Sequence, residues 1–335
     1  MKSQCRIECY DRNYSLRCWS PATCSRFSYD YLTLETNTIT SVRKIFPERG
    51  DFIKLITNNK NYDGIISDID NSGLTTIVTM KPLESLFDVK VYLERSKLSE
   101  MPLENFLKSL LQEARVLNAD PGANISGIRF EITSTTNDAK LYLEDNIQEI
   151  WNIAIKALKK YGVIISAKLE VNGICISIGV IEDSITIEAD GKNILSKTFS
   201  LQDDYGRVNT CLIINKNNET QQKRYYSDDY TSPSNWDVKY IECDTEVFEE
   251  EAEKAASDLL SKSEFNNLIE ISIQQDDKII RNRKIGCHAI IISKNMMIPS
   301  MLTGYSMSAD SLITLTFGAV RLDLSKILLI ERRQK

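Results

Sequence analysis

GDFIKLITNNKNYDGIISDIDNSGLTTIVTM, from Gly50 to Met80, is a series of short apolar strands that begins at a glycine. A second segment, GCHAIIISKNMMIPSMLTGYSMSADSLITLTFG, from Gly286 to Gly318, follows the same plan. In each, an apolar strand leads through a turn to a second glycine (Gly64 or Gly304), an alternating strand, another turn and a Thr-rich strand. Two related β modules in one chain favour a symmetric assembly, because duplication doubles the rotational order of an oligomer.

The parts of the chain outside these modules divide it further. Residues 1–93 contain seven short apolar or alternating segments separated by Asn, Gly, Asp and Pro, which is typical of a small β-barrel or sandwich. Residues 94–192 predict a helix, a strand, a second helix and a three-stranded meander with a hairpin at Asn172-Gly173. Residues 193–278 predict strands, a polar Tyr-rich loop and a helix with an acidic start, and residues 279–335 predict strands that complete a second barrel.

The predicted fold class is therefore α+β and β-rich, with two β-barrel domains, an α+β domain between them and a further β/helix segment. Seven residues are predicted as a structural signature of the two β modules. They are Gly50, Gly64, Gly73, Gly286, Gly304, Phe317 and Gly318.

Composition excludes several classes of protein. The 335 residues are 42% hydrophobic and 26% charged, with a net charge of −6, which argues against a broad nucleic-acid-binding face. No apolar run approaches the roughly 18 residues that span a bilayer, and the polar start shows no signal peptide. The eight cysteines contain no CxxC pair, so we interpret them as reduced, buried, small hydrophobes; a metal or disulfide framework is the alternative.

Catalytic motifs are scarce. His288, the only histidine, lies inside a strand without a nucleophile motif, so we interpret it as structural rather than as a base or ligand. Carboxylate pairs that could serve as glycosidase acids or calcium ligands fall in segments typical of turns. These pairs are Asp68 with Asp70, Asp203 with Asp204, and Asp228 with Asp229.

No phosphate loop or dinucleotide fingerprint is present. The tyrosines at 225–230 could stack on sugars or bases, but a surface or interface loop at 219–236 is the favoured interpretation. The basic turn at 281–284 is interpreted as a solvated loop or a patch that faces an acidic partner. We therefore expect no enzymatic activity and no cofactor or metal.

Several stretches, in their order along the chain, carry a resemblance to a known family. They include IECYDRNYSLRCWSPATCSRFSYDYL, FPERGDFIKLITNNKNYDGIISDID, DNIQEIWNIAIKALKKYGVIISAKLE, EEEAEKAASDLLSK before NNLIEISIQ, and GYSMSADSLITLTFG. In this order the chain resembles the baseplate hub, or tail-associated, proteins of long-tailed bacteriophages. That siphophage hub-like family is related in fold to the T-even baseplate hub and to the N-terminal part of type VI spike proteins.

The resemblance implies a homotrimeric structural virion protein at the tail tip or baseplate, assembled in the host cytoplasm. Two tube domains per chain would form a pseudo-sixfold ring that adapts the sixfold tail tube to a threefold spike or fibre. The implied partners are a distal tail or tube protein ring above, and a spike, fibre or tape-measure protein. DNA would pass without sequence-specific binding, and no membrane insertion is expected.

Larger members of the family add a hydrolase or receptor-binding region, whereas this chain ends just after the second module, so we expect no hydrolase. The alternatives are a carbohydrate- or receptor-binding tail module that acts through the loop at 219–236, and a cell-wall glycosidase. The sequence leaves open the host, the tail type, which partner binds each face and whether the lumen is plugged.

Overall fold

A computed structural model describes most of the chain. The described residues are 5–24, 26–57, 61–93, 101–137, 141, 143, 146–200, 210–227, 239–243, 248–260, 267–274, 284–294, 296–308 and 312–318. Within them, no helix is both long enough and apolar enough to cross a membrane.

The N-terminal part is a closed β-barrel, as the frequent turns predict. Its strands and one additional strand are β1 (Cys5–Tyr10), β2 (Leu16–Thr23), β3 (Arg26–Asp30), β4 (Asn37–Ser41), β5 (Phe52–Ile56), β6 (Asn61–Asp70) and β7 (Ile77–Pro82). The barrel order is β1-β2-β4-β7-β6-β5, and β1 closes it by pairing with β5. Alternate side chains point inward, as in Ile7, Ile39, Ile53, Ile66 and Val78, which are all nearly inaccessible to solvent.

A short 3-10 helix at Leu83–Phe87 leads from the barrel to the middle α+β region. Its elements are β8 (Lys90–Tyr92), α1 (Leu103–Arg115), β9 (Ile128–Ile132), β10 (Ile147–Glu149), α2 (Ile150–Tyr161), β11 (Val163–Glu170) and β12 (Gly173–Val180). Both predicted helices are confirmed, and each buries one apolar face. Gly162, in the left-handed region, ends α2, which is the usual role of a glycine after a helix.

The predicted three-stranded meander is wrong in its third strand. β11 and β12 form the expected hairpin, but β12 pairs on its other side with β9, in parallel. The segment ITIEADG contains the next strand, β13 (Ser184–Glu188), which joins a different sheet. A period-2 pattern predicts a strand but does not encode its neighbour, which explains the error.

A seven-stranded sheet contains β13 and the late strands. The others are β14 (Ile194–Ser200), β18 (Leu268–Gln274), β19 (His288–Ser293), β20 (Met296–Ser308) and β21 (Leu312–Phe317), in the order β13-β19-β20-β21-β18-β14. The seventh strand is β3, which leaves the N-terminal barrel and pairs with β20. The sheet is open at the level of strand pairing in the described residues, so the second barrel stays a prediction.

A small unit lies between β14 and β18 in sequence. It consists of β15 (Thr210–Asn215), β16 (Asn218–Tyr226), β17 (Lys239–Cys243) and α3 (Phe248–Leu260). The three strands form a sheet in the order β16-β15-β17, and α3 covers Cys211 and Ile213 with Ala252, Ala255 and Ala256. The predicted acidic-start helix is confirmed.

One apolar cluster extends through the barrel and the seven-stranded sheet. It contains Ile7 and Val78 of the barrel together with Ile291, Leu315 and Phe317 of the sheet. A second cluster joins α1, α2 and β11 to the base of the barrel. The fold is therefore β-rich α+β, as predicted, with one closed six-stranded barrel in the part of the chain described.

Candidate functional site

The two predicted modules begin with the same backbone arrangement. Gly50 and Gly286 each lie two residues before a strand, with φ of +85° and +87°. This region favours glycine, because a Cβ would approach the following carbonyl oxygen. The Gly50 N–H donates to Ile66 O at 2.9 Å, and the Gly286 N–H donates to Leu302 O at 2.8 Å. The two glycines therefore occupy equivalent positions.

The first hairpin has the same register in both modules. Phe52 pairs with Ile65 in β5-β6, and His288 pairs with Met301 in β19-β20. At the other end of the hairpins, Ile56 pairs with Asn61, and Ile292 pairs with Met297. Each of these residues in the second hairpin is as far along the chain from its counterpart in the first as Gly286 is from Gly50. The hairpins therefore match without insertion or deletion.

The next strand contains a β-bulge at the same place in both modules. The register of β6 against β7 shifts between Ile66 and Asp68, and that of β20 against β21 shifts between Leu302 and Gly304. The bulged residues, Ser67 and Thr303, each donate a side-chain hydroxyl to a carbonyl of the third strand. A shared bulge marks equivalent structure more specifically than shared strands do.

The equivalence extends to the surrounding sheet. The run β2-β4-β7-β6-β5 and the run β14-β18-β21-β20-β19 have the same antiparallel neighbours throughout. The sixth position differs, because β1 is antiparallel to β5 whereas β13 is parallel to β19. Five strands in each unit are therefore related.

A short link between β13 and β14 connects the two ends of the second sheet. Asp190 in this link accepts hydrogen bonds from Ser293 Oγ and from Lys294 N at 2.9 Å, and it forms an ion pair with Lys197. Lys197 and these donors lower the pKa of Asp190. The Asp190 carboxylate thus connects the link between β13 and β14 to the β19-β20 turn.

The register corrects the predicted equivalence of Gly64 and Gly304. Gly64 corresponds to the buried Ser300, and Gly304 corresponds to Asp68. At Gly64 an added Cβ would lie 2.3 Å from Lys81 O, whereas at Gly304 it would lie 2.9 Å from Tyr29 O of β3. The two glycines thus accommodate different neighbours. Aligning Gly64 with Gly304 in the sequence makes the distance from the entry glycine, Gly50 or Gly286, unequal in the two modules.

The other signature residues lie at different points of the modules. Phe317 is fully buried and corresponds to Met80, which is 1% exposed. Gly318 follows β21 with φ of +73° and donates its N–H to Met301 O. Gly73 lies in the β6-β7 turn, where an added Cβ would have only ordinary contacts. Their role as signatures of a tube stays a prediction.

β3 connects the two units through a pairing that was not predicted from the sequence. Gly304 pairs with Asp30 and Ser308 pairs with Arg26, while the Tyr31 N–H donates to Thr303 O at 3.1 Å. Tyr31 then joins the middle region, because its carbonyl accepts from Trp151 Nε1 at 2.9 Å. The alternation in the segment RFSYD predicts a strand, but its partner lies far away in sequence.

A cavity of about 330 Å³ lies where the barrel, β11 and β20 meet. Tyr29, Tyr62, Glu84, Ser166 and Tyr305 are among its lining residues. Glu84 Oε1 accepts from Ala167 N at 3.0 Å, and Tyr29 also hydrogen-bonds the carboxyl. Burial raises the pKa of Glu84 to about 7 against these hydrogen bonds. Glu84 was not a sequence candidate, since nothing in KPLESLF marks it as buried.

Asp63 lines the same cavity and joins it to β11. Its Oδ2 accepts from Leu169 N at 2.9 Å, while its Oδ1 has no hydrogen-bond partner among the described residues. Burial raises the pKa of Asp63, which Lys54 and Lys168 partly offset. The carboxyls of Asp63 and Glu84 thus both hold β11 against the first barrel.

The other sequence candidates have structural surroundings. His288 begins β19 and is exposed, with its Nε2 near Gly162. Asp68 forms an ion pair with Arg49, and Asp70 accepts from Ser72 N in a turn, so the pKa of each is lowered. A carboxyl with a lowered pKa is ionised near neutral pH, so neither Asp68 nor Asp70 is suited to donate a proton.

Three groups of candidates fall partly or wholly outside the described residues. Asp203, Asp204, Asp228, Asp229 and the basic residues 281–283 lie outside them, as does the predicted loop beyond residue 227. The beginning of that loop is a correction, because Asn218–Tyr226 is a strand paired with β15. Edge-strand pairing to the apolar TCLIIN explains why polar residues form a strand there.

The cysteines and possible metal ligands can be assessed in the described part. Seven cysteines are free there, and five of them are buried, in agreement with the interpretation as small core residues. Cys9 and Cys18 lie opposite each other on β1 and β2, and the hydrogen bond from Cys9 lowers the pKa of Cys18. Among the described residues, no group of three His, Cys, Asp or Glu side chains is placed to hold a metal ion.

Comparison with known proteins was made by sequence and by structure. No protein-family model matches the chain, and no curated protein matches it by sequence. A tail protein from Neisseria meningitidis MC58 is similar in structure, with a TM-score of 0.55, 12% identity and coverage of 94% of this chain and 97% of that one. A chain of the activated phage P2 baseplate is similar too, with a TM-score of 0.52 and 10% identity. The match covers 93% of this chain and 98% of that one.

The chain has the fold of bacteriophage tail and baseplate proteins. A chain of a Francisella PdpA–VgrG complex shares this tail-protein fold, with a TM-score of 0.53 and 9% identity, over 95% of this chain and 53% of that one. The predicted resemblance is thus confirmed at the level of the fold. At such identities the likeness establishes architecture, and function has to be argued from the residues of this chain.

Proposed function

We propose that this chain is a structural virion protein, a trimeric hub at the tail tip or baseplate that adapts a sixfold tail tube to a threefold spike or fibre. The observation that carries the proposal is the equivalence of the two β units, which share an entry glycine, a hairpin register and a bulge. Three copies of such a chain present six equivalent units around one axis, as a sixfold-to-threefold adaptor requires.

The arrangement of strands in the second unit supports the proposal that this unit is a second tube barrel. Its strands run as in the first barrel over five positions, and the link around Asp190 joins the two ends of its sheet. Barrel closure removes the free edges that an open sheet would present. The tail-protein fold of the whole chain is consistent with both barrels as parts of a tube.

The proposed ring encloses a conduit for DNA. A net charge of −6 suits this task, because basic contacts to phosphates hold DNA through counterion release and would slow its passage. The proposed partners are a distal tail or tube ring on one face and a spike, fibre or tape-measure protein on the other. The role is mechanical, and it uses no enzymatic step and no cofactor.

Native mass spectrometry of the purified chain tests the proposal. We expect a species of three copies whose abundance rises with concentration, since closed rings form by mass action. A single-copy species at every concentration would contradict the trimeric hub.

A second candidate function rests on the face of the small sheet that α3 leaves open. Tyr226 and Tyr240 are exposed there, at 51% and 65%, on the two strands that flank β15. Their register places both on the same face as Leu212 and Arg224, and exposed tyrosine and arginine side chains suit stacking on sugar rings. Glycan-array binding that is lost in Tyr226→Ala and Tyr240→Ala, with the three-copy mass unchanged, would support a receptor-binding module.

A further inference from the structure

The second half of β20 has a neighbour that the equivalent half of β6 lacks. β19 covers β20 as far as Leu302, whose N–H donates to Cys287 O, and beyond that point β3 pairs with residues 304–308. Thr303 and Gly304 are buried as a result. β3 comes from the first unit, so this edge of the second unit is completed by a strand of the other unit.

The equivalent stretch of β6 is Ser67–Asp70. β5 covers β6 as far as Ile66, whose N–H donates to Asp51 O, which repeats the contact of Leu302 with Cys287. Beyond Ile66, no described residue pairs with β6 on the β5 side. Asp68 and Asp70 are exposed there, in contrast to the buried stretch of β20.

The backbone around Ile69 is the part of this edge that β5 does not cover. Arg49 and the backbone amide of Ile69 both lower the pKa of Asp68, while Ile69 pairs with Val78 of β7 on the opposite side of the strand. Asp68 in turn forms an ion pair with Arg49, and both side chains are mostly exposed. A charged side chain over an edge amide is a common protection against uncontrolled strand addition.

We propose that Ser67–Asp70 is the edge onto which a second copy of this chain adds a strand, as β3 adds to β20 within one copy. The inference rests on the proposed ring and identifies one of its contacts. In a ring of alternating first and second units, the contact from first to second lies within a chain. The contact from second to first then lies between chains, and equivalence of the units places it at this edge.

Strand addition replaces one set of hydrogen bonds with another. The Asp68 carboxylate leaves the Ile69 amide and stays with Arg49 in solvent, while a main-chain carbonyl of the incoming strand accepts from that amide. Main-chain pairing supplies affinity in such contacts, and the alternate side chains give specificity. Ile69 is half-buried against the barrel core, so the edge is already held in extended form.

Two substitutions at position 69 distinguish the contribution of the backbone N–H to assembly from that of the side chain. Ile69→Pro and Ile69→Thr both remove the isoleucine, but only proline removes the N–H to which the incoming strand would pair. We expect sedimentation velocity to show wild type and Ile69→Thr assembling alike, and Ile69→Pro assembling about tenfold or more weakly. Circular dichroism and unfolding curves of both variants establish that the barrel is retained.

Hydrogen exchange of a peptide containing residues 67–70 gives a second readout. We expect slow exchange in the assembled wild type and fast exchange in dilute single copies. Assembly with fast exchange at 67–70, and equal association of both variants, would overturn this inference and leave the ring intact. A wild-type chain that remains single at every concentration would overturn the proposed function together with the inference.

Discussion

Glu84 illustrates how one buried group connects two parts of this molecule. Its side chain is 5% exposed, receives the Ala167 amide of β11 and lies beside Tyr29 of β3. Transfer of a carboxylate from water into such surroundings disfavours the charged form, and the negative charge of Asp63 adds to this effect. With a pKa of about 7, Glu84 keeps its proton to a higher pH than an ordinary carboxyl does.

The raised pKa of Glu84 gives a stability that depends on pH. The pKa rises from an ordinary 4.5 to about 7, so the folded state binds the proton more tightly and loses stability as pH rises through that window. We expect the wild type to lose up to about 3 kcal/mol between pH 4.5 and pH 8 relative to Glu84→Gln, which stays neutral. Urea unfolding of both proteins at several pH values measures the difference, and parallel profiles would contradict it.

The entry glycines offer a test of backbone strain at a single position. Gly286 has φ of +87°, and an added Cβ would lie 3.2 Å from Ile164 Cδ1, so Gly286→Ala should destabilise the fold by about 1–2 kcal/mol. Gly73→Ala is the matched control, because that position is open, and it should change stability by less than about 0.5 kcal/mol. Equal chemical-denaturation midpoints for the two variants would show that the φ at Gly286 has no energetic weight.

At the scale of elements, β3 is the strand on which the arrangement of the two units depends. Its Phe27 is 4% exposed and packs on Tyr62 of the barrel, with ring centroids 4.3 Å apart. The Tyr62 hydroxyl donates a hydrogen bond to Met307 Sδ of β20 at 3.3 Å, so the three strands meet at Tyr62. Loss of this contact should loosen the second sheet as well as the first.

Phe27→Ala tests that dependence. Removal of a buried phenylalanine ring costs about 3–5 kcal/mol, and here it should also speed hydrogen exchange in residues 304–308, which pair with β3. Arg26→Ala on the same strand removes an exposed side chain and should leave exchange unchanged. Unchanged exchange in both variants would mean that β3 does not hold this edge of β20.

Sequence periodicity predicts these elements better than it predicts their partners. The helices at Leu103–Arg115 and Ile150–Tyr161 follow from apolar spacing, which is a local property. The pairing of β3 with β20 and of β13 with β19 depends on residues far apart in sequence, and no local pattern encodes it. Glycines misled for a related reason, since Gly64 and Gly304 share a residue type but meet different neighbours.

At the scale of the whole molecule, the repeated unit is more significant than any single side chain. The register relates five strands of the first barrel to five of the second sheet, and β3 connects the two within one core. In the proposed ring, each chain would supply one contact between its own units and take the counterpart from a neighbour. Closure of that ring would leave no such edge free.

The most direct test of this account is electron cryo-microscopy of the assembled chain. We expect a threefold ring in which six β units surround a central opening, with the two units of each chain superposable on each other. A stable single copy, or an assembly in which the two units of a chain face each other as one closed sandwich without an opening, would contradict it.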